Sequence, residues 1–135
     1  MRVSSPIIIL DAGPLIAAIN ARDPDHQWAQ SMMLERTGPF IVTSSAVAEA
    51  THGLGNGTTG MHKLRTLVER MQVEDPAPVD VLDEMAKWKT RMDYADACAV
   101  LLARRHRGAT VLTTDHTDFT VYRVPFISPR GSFKA

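Results

Sequence analysis

Four short runs of unbroken apolar and β-branched residues punctuate the chain: residues 7–10 (Ile-Ile-Ile-Leu), 40–43 (Phe-Ile-Val-Thr), 110–113 (Thr-Val-Leu-Thr) and, more weakly, 124–127 (Val-Pro-Phe-Ile). Runs this short that do not alternate with polar residues predict strands covered on both faces, as in a parallel sheet between helix layers. Between them the apolar period lengthens to three or four. Met61, Leu64, Leu67, Val68 and Met71 fall on one helical stripe, and residues 78–90 give a second with Val81, Leu82, Met85 and Trp88 inward. The punctuation agrees. Pro14 stands early in a helix after Gly13, Asp23-Pro24 opens a helix through Glu35, and Gly38-Pro39 closes it. Ser44-Ser45 is placed to cap a helix carrying Val47 and Glu49, which ends in the glycine-rich stretch 53–57. The predicted order is strand, helices, strand, helices, strand, strand, and the fold class is an α/β sandwich.

A length of 135 residues suits a single domain over 1–135. A net charge of zero excludes binding to nucleic acid through bulk positive charge, although local basic patches remain available. The single cysteine, Cys98, has no internal disulfide partner, and the Met-Arg-Val-Ser-Ser-Pro start carries no secretory pattern, so the expected address is the cytoplasm. No apolar run approaches the roughly 20 residues that span a bilayer, and no membrane role is expected.

Acidic residues change the picture. Asp11 ends the first apolar run, Asp115 follows the third, and Asp93 and Asp96 stand three apart at a helix start. Glu49 lies about one and a half turns into the helix after the second run. In open parallel sheets ligands bind beyond the carboxyl ends of the strands, which is where these segments deliver their acids. Like charges gathered there oppose one another's ionisation, and a divalent cation resolves the conflict. Carboxylates without grouped His or Cys are the ligand set of Mg²⁺ or Mn²⁺ rather than zinc. An ion so held neutralises a phosphate and supplies a reactive water, which is the chemistry of phosphodiester hydrolysis.

The segments Asp11-Ala12-Gly13-Pro14-Leu15, Glu49, Met92-Asp93-Tyr94-Ala95-Asp96-Ala97, and Thr113-Thr114-Asp115 through Arg123 together resemble the motifs of PIN domains, in order and over nearly the whole chain. The nearest branch by this resemblance is that of the VapC-type toxin ribonucleases. The resemblance implies a three-layer α/β/α sandwich with a central parallel sheet of about five strands. It implies Mg²⁺-dependent (or Mn²⁺-dependent) cleavage of RNA, with Asp11, Glu49, Asp96 and Asp115 as metal-binding catalytic acids and Asp93 as an added candidate. It further implies products with 5′-phosphate and 3′-hydroxyl ends, a homodimer, and a small antitoxin protein as partner. Two departures touch the loops that face substrate: the glycine-rich 53–57 stretch and Trp88-Lys89-Thr90-Arg91 stand where the branch usually has other patterns.

Each acid also has a plainer use, since Asp after a strand or at a helix start commonly caps the helix. Asp96 fits that use least, because an unpaired acid among Ala95, Ala97, Val100 and Leu101 is costly to bury. Thr113, Thr114 and Ser44 stand near the same sheet edge and either orient water and phosphate or cap turns. Arg91, with Lys87 and Lys89, and the run Arg104-Arg105-His106-Arg107 either end helices favourably or clamp RNA phosphates; Arg123 joins one role or the other. Within the same fold, a nuclease of RNA processing and a non-catalytic binding module are the alternatives to a toxin. A receiver-type signalling domain fits poorly, since no phosphoacceptor Asp after a third strand and no late-strand Lys is evident.

Overall fold

The computed structural model describes residues 7–88 and 92–134. Its elements follow the order β1 (Ile8–Leu10), α1 (Ala12–Ile19), α2 (His26–Glu35), β2 (Phe40–Val42), α3 (Ser44–Gly53), α4 (Thr58–Val68), β3 (Gln72–Val73), α5 (Pro78–Lys87), α6 (Tyr94–Arg105), β4 (Thr110–Leu112), α7 (His116–Tyr122), β5 (Phe126–Ser128) and β6 (Gly131–Phe133). The sheet order is β3-β2-β1-β4-β5-β6. Its first five strands are mutually parallel, and β6 returns antiparallel to β5 as a hairpin.

The apolar runs become the middle of this sheet for the reason their pattern predicts. Ile8 and Leu10 of β1 turn to one face with Val42 and Leu112, against Leu15, Ala46, Ala50 and Leu64 from α1, α3 and α4. Ile9 turns to the other with Ile41 and Val111, against Val81, Val100, Leu102 and Phe119 from α5, α6 and α7. Helices therefore cover both faces, which gives the three-layer α/β/α sandwich. Truncating a residue such as Leu15 or Ile9, both fully buried, is expected to cost about 2–5 kcal/mol.

Several details differ from the sequence expectation. Strands β3 and β6 were not anticipated: Gln72 and Val73 are both exposed and β6 is Gly-Ser-Phe, so neither carries an apolar run. Thr43 and Thr113 fall just past their strands. The cap of α3 is Thr43, whose hydroxyl accepts from the Ala46 N–H, in place of Ser44 or Ser45. Helix α2 begins at His26, after a turn through Asp23-Pro24-Asp25. Leu82, expected inward on α5, is 57% exposed. The face of α5 turned to the core carries Val81 and Glu84, with Met85 packed beside them, and the buried acid there is held by partners described below. Thr90, Lys89 and Arg91 lie outside the described residues. Among the described residues, no helix is long and apolar enough to cross a membrane.

Candidate metal centre

Strand β1 sits between β2 and β4, so chain connections leave it in opposite directions and a crevice opens beyond the carboxyl ends of β1 and β4. Asp11 leaves β1 there. It is the N-cap of α1: Oδ1 accepts from the Ala12 N–H at 2.9 Å, while Oδ2 accepts from the Thr113 hydroxyl at 2.7 Å. Thr113 is fully buried just beyond β4, and its Oγ1 in turn accepts from the Asp115 N–H at 3.0 Å. One threonine thus ties together the acids that follow β1 and β4.

Asp115 caps α7 through Oδ1 and the Asp118 N–H at 3.0 Å, and Asp93 caps α6 through Oδ1 and the Asp96 N–H at 2.8 Å. Three of the acids are therefore helix caps. Capping occupies one carboxylate oxygen, and Oδ2 of both Asp93 and Asp115 has no hydrogen-bond partner among the described residues. Asp96 is the one of these acids whose residue as a whole is buried, at 8% exposure; its Oδ2 accepts from the Tyr122 hydroxyl at 2.8 Å.

Electrostatics shows that these groups share one field. Burial pushes the Asp96 carboxyl up, the Tyr122 hydrogen bond opposes it, and the charges of Asp93 and Asp11 add to the rise, from 3.8 to about 7 in all. Asp11 is also raised, first by burial and then by Asp93 and Asp115, with the Thr113 and Ala12 hydrogen bonds opposing. Glu49 is on the exposed side of α3 and is raised by partial burial, then by Asp93 and Asp11. The four predicted ligands and Asp93 thus act on one another. Among the described residues, no Lys or Arg forms an ion pair with any of the five.

A family model of the PIN domain matches residues 8–125. The chain belongs to the PIN-domain family. Among solved structures, VapC20 of Mycobacterium tuberculosis, a sarcin-ricin loop cleaving toxin, superposes with a TM-score of 0.76 at 16% identity, over 87% of this chain and 95% of that one. FitAcB from Neisseria gonorrhoeae superposes with a TM-score of 0.56 at 19% identity, over 92% of this chain and 99% of that one. At these identities the likeness is one of fold. No curated protein sequence matches the chain.

In this PIN domain the donor set suits a hard divalent ion. It is all oxygen, it carries excess negative charge without a counter-cation among the described residues, and it holds a carboxyl that burial leaves half protonated near neutral pH. The side chains do not yet close: among the described residues, no three of them surround one point as a chelate would.

The remaining candidates separate. Thr113 braces Asp11 and is fully buried, in place of the exposed substrate contact expected of it. Ser44 is engaged elsewhere: its N–H and hydroxyl both donate to Asp75, at 2.7 and 2.6 Å. Arg123 is exposed and ends α7 in the left-handed conformation at φ 60°. Arg91 lies outside the described residues. In the basic run, Arg104 bonds Glu84, and Arg105 and His106 both bond Glu74. Those side chains neutralise acids of their own face, some 12–15 Å along α6 from Asp96. Tyr122 is the residue that sequence reasoning left without a role. No helix is expected between the third and fourth apolar runs, so α7 itself is an addition of the structure, and nothing local indicates that the Tyr122 hydroxyl meets an acid 26 positions earlier.

Proposed function

We propose that this PIN domain is a divalent-metal-dependent endoribonuclease, serving as the toxin of a VapC-type toxin–antitoxin pair. The observation that carries the reading is the gathering of Asp11, Asp93, Asp96, Asp115 and Glu49 at the crevice beyond β1 and β4 with no cation of the described chain to balance them. Asp11, Glu49, Asp96 and Asp115 would hold Mg²⁺, or Mn²⁺ in its place, with Asp93 beside them. Such an ion supplies neutralisation of phosphate charge and a water acidic enough to attack phosphorus.

The chain's own residues do the rest. Thr113 fixes Asp11 against Asp115, so that the acids from two strands keep their separation. Tyr122 holds one oxygen of Asp96, and Oδ1 has no hydrogen-bond partner among the described residues. Arg123, exposed at the end of α7, is the described candidate for a phosphate contact. RNA as substrate is supported by the fold shared with a toxin that cleaves the sarcin-ricin loop. The toxin role further predicts a small antitoxin partner and a homodimer, and expression of the chain alone is expected to arrest growth until a neighbouring small open reading frame is co-expressed.

A non-catalytic binding module of the same fold is the second reading. A cleavage assay separates the readings. Purified protein with Mg²⁺ or Mn²⁺ is expected to cut RNA, and Asp11→Asn to lose on the order of 100-fold or more of that activity while staying folded, because Asn caps a helix as well as Asp does. Equal cleavage by the two proteins would sink the assignment of Asp11.

A further inference from the structure

The Oδ2 side of Asp96 meets a tyrosine that is itself held in place on two sides. Tyr122 is 4% exposed, and its hydroxyl has Asp96 Oδ2 as its partner at 2.8 Å. Two rings clamp it edge-on: Trp88 with centroids 5.4 Å apart at 71°, and Phe119 with centroids 5.2 Å apart at 76°. Such edge-to-face pairs fix a ring's rotation as well as its place.

Trp88 is itself held. Its indole Nε1 donates to Glu84 Oε2 at 2.8 Å, and the other oxygen of Glu84 accepts from Arg104 Nη1, also at 2.8 Å. The Glu84 side chain is only 2% exposed. A buried acid at this place is less favourable for stability than a leucine would be, unless it does something a leucine cannot. What it does is hold an indole by a directed bond. A continuous path of hydrogen bonds and ring contacts therefore runs from Arg104 through Glu84, Trp88 and Tyr122 to the carboxyl of Asp96, across α6, α5 and α7.

We propose that Tyr122 is a positioning residue of the acid centre, braced by Trp88 and the buried Glu84–Arg104 pair, and that it sets the Asp96 carboxyl so that Oδ1 is presented to the ion. The inference rests on the reading of Asp96 as a metal ligand. Outer partners of this kind orient the ligand they touch, and their loss typically weakens metal binding by about 10–100-fold.

The test is Mn²⁺ titration of the full chain by calorimetry, without RNA, with the thermal midpoint of each metal-free protein measured alongside. Tyr122→Phe, which keeps the ring and its packing, is expected to weaken Mn²⁺ binding by about tenfold or more. Trp88→Leu is expected to weaken it several-fold when Tyr122 is present and to add little in the Tyr122→Phe background, because its effect travels through the hydroxyl. Trp88→Phe, which keeps a ring against Tyr122 but loses the bond to Glu84, is expected to fall between Trp88→Leu and the wild type, and serves where Trp88→Leu does not fold. Wild-type affinity in Tyr122→Phe overturns the inference while leaving the metal centre intact. Equal losses from Trp88→Leu in both backgrounds overturn the brace. A wild-type chain that binds no Mn²⁺ overturns the metal reading and this inference with it.

Discussion

Asp11, Asp93 and Asp115 each cap a helix, and under the proposed function each also serves the metal, two uses that a single sequence could only offer as alternatives. An aspartate after a strand reads as a cap or as a ligand; here one oxygen caps a helix and the other is left over or held by a threonine. The double use separates two substitutions at Asp93. Asp93→Asn retains the cap and is expected to change stability little, whereas Asp93→Ala loses it at about 1 kcal/mol, and both remove one negative charge from the centre; chemical denaturation of the two proteins checks this. Gly13 was legible as punctuation but not as a contact. A Cβ there would overlap the side chain of Thr114 in the turn between β4 and α7. Gly13→Ala is expected to destabilise by about 1–3 kcal/mol and to reduce cleavage by moving Asp115. Wild-type stability and activity in that variant would contradict the packing.

The parallel core strands and most helices were legible because their signals are local: an apolar run, a heptad-like stripe, a proline or a glycine at an end. Strands β3 and β6 were not, because an edge strand of two or three residues is made by its neighbour and not by its own composition. Helix α5 shows the same limit from within. Its inward face was read from apolar residues alone, which placed Leu82 inside and overlooked Glu84. Burial alone would push the Glu84 carboxyl up, but the Trp88 and Arg104 hydrogen bonds and the Arg104 and Lys87 charges together hold it below 4.5. Breaking that set is expected to be costly. Glu84→Ala should lose about 1–3 kcal/mol, because it leaves the Trp88 indole N–H without its partner while the Arg104 and Lys87 cations remain in reach of water. A loss under about 1 kcal/mol by equilibrium denaturation would mean that the pair is in effect a surface one. The basic run at the end of α6 was equally ambiguous in sequence, and the acids that hold Arg104, Arg105 and His106 lie 20 to 32 positions away.

For the molecule as a whole, the raised carboxyls link folding, protons and metal. Between pH 3.8 and about 7 the folded chain keeps a proton on Asp96 that the unfolded chain has released, so stability falls as pH rises through that window. Asp11 and Glu49 are shifted in the same direction and add to the fall. Glu74 and Glu84 are shifted downward and act in the opposite sense only in more acid solution, where stability they contribute is lost as pH falls. The metal-free protein is therefore expected to melt lower at about pH 8 than at about pH 5.5. Added Mg²⁺ should raise the melting point more at the higher pH, because binding requires the ionised carboxyls. A melting point that rises with pH in the absence of metal would contradict the upward shift of these carboxyls.

The fold places the acids, but the claim that matters is that they direct water at an RNA phosphorus. The chemistry of the cut ends tests it most directly. After Mg²⁺-dependent cleavage, every new end generated by this PIN domain is predicted to be a 5′-phosphate facing a 3′-hydroxyl, and those ends should vanish in Asp96→Asn. Ends bearing a 5′-hydroxyl and a 2′,3′-cyclic phosphate would show that the ribose 2′-hydroxyl attacked instead, and would contradict the account of this centre.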